Sequence, residues 1–304
     1  MPCLRCKLHQ SPTPPPLSSP CCFKFVHMNL TDQIVIVTGA SAGIGEQICR
    51  RLAKERVKFV LAARSEDKLN RLAEQLRGEG CECLVVRTDV SDPNDLAYLV
   101  QQTLATYGRI DVLVNNAGVD LFQAFDSTEI EDILQTIEIN LTGAILLARL
   151  VMPEMLKNGA GCIINMASTA GKHTPAYGSV YGATKAALIG FTQGLRAEFG
   201  DRGIRCTAIC PGFTKDGGIY DRIVQATGKK TSLALGGTSA KRVANKVVKA
   251  IRNGAPEMII NWPPMRPAMV LREIFPRLGE KLVVAVSKRF VRNAAALHEN
   301  QTDS

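Results

Sequence analysis

The sequence predicts an α/β fold in which helices cover both faces of a doubly wound parallel sheet. From Ile34 onward, short runs rich in β-branched residues alternate with longer segments that have a helical spacing of apolar residues. The short runs are apolar throughout rather than alternating, which indicates strands whose two faces are both buried. The segments between them are long enough for the crossovers that parallel strands require.

Seven apolar runs are predicted to be strands, and five of the intervening segments are predicted to be helices. The strands are expected at Ile34–Val37, Phe59–Ala63, Glu82–Arg87, Val112–Asn115, Gly161–Asn165, Arg205–Cys210 and Ile259–Asn261. The helices are expected at Glu46–Glu55, Lys68–Glu79, Leu96–Tyr107, Glu129–Asn158 and Ala183–Phe199.

The length of the chain, 304 residues of which 46% are hydrophobic, permits a large core. It fits two average domains or one α/β domain with an extension, and residues 30–260 contain no repeat or linker. We therefore expect one folded domain over residues 28–261 and a C-terminal extension over residues 262–304. Residues 1–27 include a segment rich in proline and serine, so we expect a disordered or untranslated extension there. A targeting peptide is the alternative.

Basic residues exceed acidic ones by nine, and most of the positive charge lies in the C-terminal part of the chain. Residues 229–292 contain 14 Lys and Arg against three Glu, whereas residues 28–228 contain 20 against 23 acidic residues. Only 5% of the residues are aromatic. The basic stripe with stacking side chains that is typical of nucleic-acid binding is therefore not evident, and we expect no nucleic-acid partner.

Neither a membrane span nor a metal site is expected. The apolar runs fall short of the roughly 18 uninterrupted residues that a membrane helix needs. Cys3, Cys6, Cys21 and Cys22 are spaced like paired ligands, but the proline-rich segment between the pairs does not suit a folded zinc loop. The other cysteines have no matched spacing, which is typical of reduced thiols in a cytoplasmic enzyme.

A glycine-rich turn directly follows the first predicted strand. Residues 38–45 read TGASAGIG and lead into a predicted helix. Glycines permit a close backbone approach, while the N–H groups and dipole of a helix N-terminus favour a phosphate. The glycines alone could serve only a turn with positive φ. The order of strand, turn and helix favours a dinucleotide, with candidate contacts at Gly39, Ser41, Gly43, Ile44 and Gly45.

The second predicted strand is followed by a basic residue at the position where an NAD-binding site has an acidic one. An acidic residue at this point binds the ribose 2′-hydroxyl of NAD, but this chain has Arg64. A guanidinium suits a bidentate contact with a 2′-phosphate, so Arg64 favours NADP. The alternative is an ordinary exposed arginine at a strand end.

Tyr181 and Lys185 lie four residues apart at the start of a predicted helix and so share one face. A phenol has an ordinary pKa of about 10, and a nearby ammonium group stabilises the phenolate. The pair could therefore supply acid–base chemistry near neutral pH. A pair with this spacing could also be a solvated helix face.

These motifs together strongly resemble the single-domain branch of the short-chain dehydrogenase/reductase family over nearly all of residues 30–255. The resemblance implies a Rossmann-type fold and a nicotinamide coenzyme held by the glycine turn. It also implies an adenine contact and a contact at the NNAG motif after the fourth strand. The residues at these two places are Asp89 and Val90, and then Asn116, Ala117 and Gly118.

The catalytic Asn, Ser, Tyr and Lys of the family are matched by Asn140, Ser168, Tyr181 and Lys185. The resemblance implies that hydride moves between nicotinamide C4 and the carbonyl carbon, with Tyr181 as general acid in reduction and Ser168 bound to the carbonyl oxygen. Lys185 would hold the nicotinamide ribose and depress the pKa of Tyr181, while Asn140 would help to hold a water in the proton relay. Tyr177 has no lysine four residues later and is expected to line the substrate cleft.

The sequence departs from the family pattern after Pro211 and Gly212, which are expected to bind the coenzyme. Asp216 replaces a threonine that is often found five residues after the proline, and we expect Thr214 to take over the contact with the nicotinamide carboxamide. Residues 214–240 contain two glycine pairs. They are expected to form either a mobile lid over the substrate or an ordinary surface loop.

Residues 265–292 interleave apolar and basic side chains in a pattern that predicts a basic amphipathic helix. Such a helix could make peripheral contact with an anionic membrane, cover an apolar substrate pocket, pack at a subunit interface, or only cover the core. The first two alternatives favour a lipophilic substrate such as a sterol, retinoid, long-chain ketone or acyl derivative.

We therefore expect an NADP(H)-dependent oxidoreductase that reduces a lipophilic ketone or aldehyde, located in the cytoplasm or associated with a membrane. The resemblance also implies a homodimer or homotetramer packed through the helices that contain Asn140 and Tyr181. The alternatives are an NAD-dependent alcohol dehydrogenase, a nucleotide-binding protein of the same fold without turnover, and a membrane-surface protein. The complete catalytic set speaks against a protein without turnover.

Overall fold

The computed structural model describes residues 27–215 and 237–281. The strands in this part of the chain are β1 (Ile34–Thr38), β2 (Lys58–Ala63), β3 (Cys83–Arg87), β4 (Val112–Asn115), β5 (Gly161–Met166), β6 (Ile204–Pro211), β7 (Thr214–Lys215), β8 (Thr238–Ser239) and β9 (Glu257–Ile260). The helices are α1 (Gly43–Ala53), α2 (Glu66–Gly78), α3 (Pro93–Tyr107), α4 (Ile130–Ile137), α5 (Gly143–Lys157), α6 (Ser179–Phe199), α7 (Ala240–Asn253) and α8 (Arg266–Ile274).

Seven of these strands form one sheet in the order β3-β2-β1-β4-β5-β6-β9, and every neighbouring pair is parallel. Strands β7 and β8 pair separately. The strand order reverses between β1 and β4, so the carboxyl ends of these two strands open a crevice at the switch point. The predicted doubly wound parallel sheet is confirmed.

Alternate residues of the central strand β1 enter two separate cores. Val35 and Val37 pack in the core that contains side chains of α1, α2 and α7, whereas Ile34 and Ile36 pack with side chains of α3 and α5. Successive side chains of a strand point to opposite faces, and helices cover both faces here. All five residues of β1 are consequently buried, which explains why this run is apolar throughout.

Helix α7 is not among the predicted helices, although its sequence carries the signal for one. Val243, Val247 and Ile251 recur every four residues and are buried where the helix packs against α1. The side chain of Ser239 caps the first turn, and Gly254 ends the helix in the left-handed region, with a φ of 65°. The basic residues at the intervening positions form the exposed face of an amphipathic helix, so the sequence analysis missed a readable signal here.

The helix predicted over residues 129–158 is interrupted by a π segment, Glu138–Thr142, that separates α4 from α5. Such segments occur frequently at functional sites, and buried Asn140 lies at the centre of this one. By length and composition, Ile130–Lys157 is also the one described helical stretch that could cross a membrane. Half of its most apolar window is buried within the protein, as in a core helix.

The C-terminal strand and extension differ from the prediction in detail. The last strand is Glu257–Ile260 rather than residues 259–261, and the chain continues into α8 and a second helical stretch at residues 276–281. Several expectations fall on residues outside the described part of the chain. These are the N-terminal extension up to residue 26, Cys3, Cys6, Cys21 and Cys22, Asp216, most of the expected lid, and the amphipathic pattern beyond residue 281.

Candidate active site

The glycine turn lies at the carboxyl end of β1, beside the crevice. Gly39 has a φ of +65°, and a Cβ on it would lie 2.9 Å from Cα of Ala117. Gly45 packs so closely against the main chain that a Cβ would overlap the carbonyl oxygen of Gly39. Helix α1 begins at Gly43 with no side chain capping its first N–H groups. These groups suit an anion, so the turn fits the pyrophosphate of a dinucleotide.

A cavity of about 420 Å³ extends from this turn along the crevice. Gly45 is not one of its lining residues, because it lies behind the turn. Eleven of the predicted coenzyme residues do line it, and they are Gly39, Ser41, Gly43, Ile44, Arg64, Asp89, Val90, Asn116, Ala117, Gly118 and Thr214.

Arg64 and Asp89 follow β2 and β3 and therefore lie on the β3 side of the crevice. Arg64 is exposed and lines the cavity, with no acidic residue beside it in the sequence. Partial burial acts to raise the pKa of Asp89, but hydrogen bonds from Ser91 and the charges of Arg64 and Arg87 bring that pKa below its ordinary value. The guanidinium of Arg64 thus lies where NAD would place its ribose 2′-hydroxyl and NADP its 2′-phosphate.

The loop after β4 is held against the glycine turn by Thr38, whose role the sequence analysis did not identify. Its Oγ1 accepts hydrogen bonds from the N–H groups of Asn116 (3.0 Å) and Ala117 (3.1 Å). The side-chain amide of Asn116 donates in return to the carbonyl oxygens of Thr38 (3.0 Å) and Gly39 (3.3 Å). These contacts place the NNAG motif along the wall of the cavity.

A smaller cavity, of about 170 Å³, continues from the first and contains most of the predicted catalytic side chains. Ser168, Tyr181 and Lys185 line it together with Pro211 and Gly212. The two cavities share lining residues at their junction, which are Ile44, Asn116, Gly118, Val119, Asp120 and Thr214. The structure thus brings the predicted coenzyme and catalytic residues, except Gly45 and Asn140, to one continuous crevice.

Tyr181 lies in the first turn of α6, and Ser168 lies just after β5. Burial raises the pKa of Tyr181 to about 12, while a hydrogen bond with Ser168 acts to lower it and the charge of Asp120 to raise it. Oγ of Ser168 also accepts a hydrogen bond from the N–H of Ala170 at 3.1 Å. Tyr181 is therefore protonated at neutral pH and can donate a proton.

Lys185 is 5% exposed, and its ammonium group points into the crevice. Its Nζ donates to the carbonyl oxygen of Met166 at 3.0 Å and lies 5.6 Å from the centre of the Tyr181 ring. Burial lowers the pKa of Lys185 to about 8, against the opposing charge of Asp120. In this structure burial, rather than the nearby ammonium, dominates the pKa of Tyr181.

Asn140 is buried and lines neither cavity, and the polar atoms of its side chain are engaged in the protein. Oδ1 accepts from the N–H of Val119 at 2.8 Å, and Nδ2 donates to the carbonyl oxygen of the same residue at 2.8 Å. Nδ2 also lies 3.4 Å from Oγ1 of Thr184, one residue before Lys185. The side chain of Asn140 therefore joins the π segment to the loop after β4 and to α6.

Asp120 is the charged residue of the crevice that the sequence analysis did not single out. It lines both cavities, and its charge acts to raise the pKa of both Tyr181 and Lys185. The available signal was its position two residues after Gly118, next to a motif already assigned to the site. Other lining residues that the analysis missed are Ala63, Ser65, Thr88, Val119, Ile139, Met166 and Ala167.

Tyr181 also has an apolar neighbour. The ring of Phe122 lies 5.4 Å from the ring of Tyr181, at an interplanar angle of 43°. Tyr177 has a positive φ of 63°, and its carbonyl oxygen accepts from the N–H of Gln123 at 2.8 Å. Tyr177 lines neither cavity, so its observed role is to join the two loops beside the crevice.

Two other features of the described residues do not alter this assignment. A cavity of about 650 Å³ near Tyr107 and Arg109 opens at the amino ends of the strands, and none of the predicted site residues lines it. Among the described residues, no group of three His, Cys, Asp or Glu side chains is placed to hold a metal ion.

Comparison with known proteins connects this geometry to one family. The family model described as short chain dehydrogenase matches residues 33–225. The ketoacyl reductase HetN of a Nostoc species is 38% identical over 241 residues, which cover 79% of this chain and 82% of that protein. An uncharacterized oxidoreductase of Thermotoga maritima is 35% identical, over 64% of this chain and 77% of that protein.

Solved structures give the same result. An actinorhodin polyketide ketoreductase with NADPH superposes with a TM-score of 0.70 at 30% identity, covering 76% of this chain and 95% of that one. A metagenomic short-chain oxidoreductase in complex with NADP superposes with a TM-score of 0.66 at 30% identity, covering 77% of this chain and 98% of that one.

Proposed function

Because this chain belongs to the short chain dehydrogenase family and is an oxidoreductase, we propose that it uses NADP(H) to interconvert a carbonyl and a secondary alcohol. We propose further that it reduces a lipophilic ketone or aldehyde. The observation that carries the proposal is a single crevice that joins Arg64 at one end to Ser168, Tyr181 and Lys185 at the other.

The preference for NADP rests on Arg64. Its guanidinium can bind a 2′-phosphate with two hydrogen bonds, whereas the acid that would bind a 2′-hydroxyl is missing from this position. Two structures 30% identical to this chain contain NADPH or NADP, which agrees with this choice. When bound, the coenzyme supplies the hydride.

The protein's own contribution is a proton and a fixed geometry. Tyr181, protonated at neutral pH, would donate to the carbonyl oxygen of the substrate, and Ser168 would hold that oxygen through a hydrogen bond. Lys185, charged at neutral pH, would hold the nicotinamide ribose. Because the side chain of Asn140 is engaged by Val119, a water in the proton relay would be held by the main chain of the π segment.

The proposed substrate class rests on the apolar surroundings of Tyr181. Phe122 is buried against its ring, and a Cβ on Gly178 would lie 2.8 Å from the Phe122 ring. An aromatic ring packed against the proton donor favours an apolar chain or ring system beside the carbonyl. The Nostoc relative is a ketoacyl reductase and the solved relative a polyketide ketoreductase, and both names describe reduction of a ketone.

We also propose a homodimer or homotetramer packed through the helices that contain Asn140 and Tyr181. Phe125, Ile130 and Leu134, in and just before α4, are exposed large apolar side chains on this side of the molecule. A pair of such faces would bury one another in a symmetric interface. Sedimentation velocity of the wild type and of Leu134→Glu tests this, because the variant should sediment at a lower mass.

The test of the proposed function is NADPH oxidation with a panel of lipophilic ketones, comparing the wild type with Tyr181→Phe. Loss of the proton donor should lower kcat by about 100-fold or more, while NADPH binding persists because the coenzyme turn is untouched. Tyr177→Phe is the matched control and should keep most of the activity. If Tyr181→Phe reduces ketones as fast as the wild type, the proposed role of Tyr181 is wrong.

A further inference from the structure

Exposed apolar side chains are concentrated in the C-terminal segment of the described chain. Ten large hydrophobic residues are exposed in the described residues, and six of them lie between residues 262 and 278. We call these six the C-terminal apolar surface. They are Trp262, Val270, Leu271, Ile274, Phe275 and Leu278.

Helix α8 carries its apolar face outward. Val270, Leu271 and Ile274 share one side of the helix, and Ile274 is 62% exposed. Met269 and Arg272 are only partly exposed, and no residue of α8 is buried. A helix that covers a protein core turns its apolar face inward, so α8 has the opposite orientation and leaves this face for another surface.

The charge around this surface is positive. Among residues 262–281, Arg266, Arg272, Arg277 and Lys281 stand against Glu273 and Glu280. Exposed apolar side chains bordered by basic ones are complementary to a bilayer with anionic head groups. A second copy of this chain would bring the same positive charge to the contact, which argues against self-association through this face.

Arg272 attaches α8 to the catalytic part of the molecule. One of its Nη atoms donates to the carbonyl oxygen of Lys172 at 3.2 Å and lies 2.5 Å from Nδ1 of His173, a residue that is 7% exposed. Both contacts lie on the segment between Ser168 and the start of α6, which carries Tyr181. The C-terminal apolar surface is therefore fixed next to the substrate side of the crevice, although α8 lies beyond the residues that the family model matches.

We infer that the C-terminal apolar surface docks on an anionic lipid bilayer and thereby sets the substrate side of the crevice against the membrane. Docking would insert the apolar side chains at the boundary between head groups and acyl chains, while Arg266, Arg277 and Lys281 contact lipid phosphates. Only the consequence for substrate delivery rests on the proposed function. A bilayer at this position would supply a lipophilic carbonyl compound directly to the crevice.

The test is co-sedimentation of the full chain with two kinds of vesicle. One contains phosphatidylcholine alone, and in the other phosphatidylglycerol makes up about a third of the lipid. The wild type should sediment with the anionic vesicles at least about tenfold more strongly than with the neutral ones, and added salt should weaken this binding. NADPH binding, measured on the same preparations, reports folding and the coenzyme site independently of the vesicles.

Two variants and one control connect the binding to the C-terminal apolar surface. The double variant Ile274→Glu with Phe275→Glu should reduce binding to anionic vesicles by about tenfold or more, because it places charge in the contact. Arg277→Glu should reduce the preference for anionic vesicles. Tyr98→Glu alters an exposed aromatic residue on α3 and should bind as the wild type does.

The inference is wrong if the wild type stays in the supernatant with both vesicles, or if the double variant still binds as the wild type does. It is also wrong if the double variant changes only the sedimenting mass of the free protein, because the surface would then be a subunit interface. In each case retained NADPH binding would leave the proposed function standing. Vesicle binding without NADPH binding would instead contradict the proposed function.

Discussion

Asp120 stands among the catalytic side chains and acts on two of them at once. Its negative charge favours the protonated forms of both Tyr181 and Lys185, against the burial that lowers the pKa of Lys185 to about 8. The proposed reduction needs both groups protonated. Of the two groups, Lys185 is deprotonated first as the pH rises, because its pKa is about 8 and that of Tyr181 about 12.

We predict that Asp120→Asn moves the alkaline limb of the pH profile for carbonyl reduction to lower pH. Removing the carboxylate lets the pKa of both Lys185 and Tyr181 fall, so the active protonation state is lost earlier as the pH rises. The measurement is kcat/KM against pH for the wild type, the variant and the control Asp126→Asn, which alters an exposed acid outside both cavities. A shift to higher pH in Asp120→Asn, or an equal shift in the control, would contradict this account.

Residue identities could be predicted from the sequence where a side chain belongs to a local motif. The glycine turn and the pair Tyr181 and Lys185 are of this kind, because their spacing along the chain sets their spacing in space. Thr38 and Asn140 act through partners 78 and 21 residues away, respectively. Only the sheet order and the π segment bring those partners together, so sequence spacing could not reveal the contacts.

At the scale of single elements, the turn between β1 and α1 depends on two glycines for different reasons. Gly39 needs a positive φ, whereas Gly45 needs the absence of a side chain because the main chain of Gly39 lies against it. The close approach of helix and turn positions the uncapped N–H groups of α1 at the cavity. An added methyl group would therefore disturb the anion site itself.

We predict that Gly45→Ala weakens NADPH binding by about tenfold or more, because the added Cβ would force the turn away from α1. It should also lower the free energy of unfolding by about 1–3 kcal/mol. The control is Gly78→Ala near the end of α2, where an added Cβ has no neighbour within 4 Å. Isothermal titration with NADPH and thermal unfolding provide the two measurements, and unchanged binding in Gly45→Ala would show that the turn is not the phosphate site.

The elements that the sequence predicted best are the strands that are buried on both faces. Their sequences are apolar without interruption, so the burial of both faces can be recognised directly from the residue types. Helix α7 buries one stripe, and its other positions are basic residues or asparagine, so the segment does not stand out as an apolar run. The π segment inserts one irregular turn into a continuous helical pattern, and the periodicity does not reveal it.

At the scale of the whole molecule, helices cover both faces of one main sheet, and α8 follows this domain near the end of the described chain. The N–H of Met28 donates to the carbonyl oxygen of Arg252 at 3.1 Å, and Leu30 is buried, so the start of the described chain packs against the end of α7. Helix α8 contributes no buried residue. The core and the coenzyme cavity therefore form without α8.

We predict that a chain comprising residues 28–264 folds and binds NADPH within about twofold of the full-length affinity, because no described residue after position 264 lines the two site cavities. The comparison is a fluorescence titration of both proteins, with circular dichroism to show that the shorter chain is folded. Loss of NADPH binding in the shorter chain would mean that the C-terminal segment belongs to the coenzyme-binding domain.

The fold as a whole could be predicted because parallel strands, crossover helices and a glycine turn admit few topologies. The position of the C-terminal segment could not, because it involves contacts between residues far apart in the chain, such as that of Arg272 with the loop beside the active site. Arg272 and its partner His173 are 99 residues apart in the chain. From the sequence alone, the same amphipathic pattern fitted a membrane contact, a lid, a subunit interface or a helix that only covers the core.

The most direct test of the proposed function is a fluorescence titration of NADPH and NADH against the wild type and Arg64→Ala, with Arg71→Ala as a control at an exposed arginine of α2. We predict that the wild type and the control bind NADPH at least about tenfold more tightly than NADH, a difference of about 1.4 kcal/mol. Arg64→Ala should abolish this difference by weakening NADPH binding alone. Equal binding of the two coenzymes by the wild type, or binding of neither, would contradict the proposal.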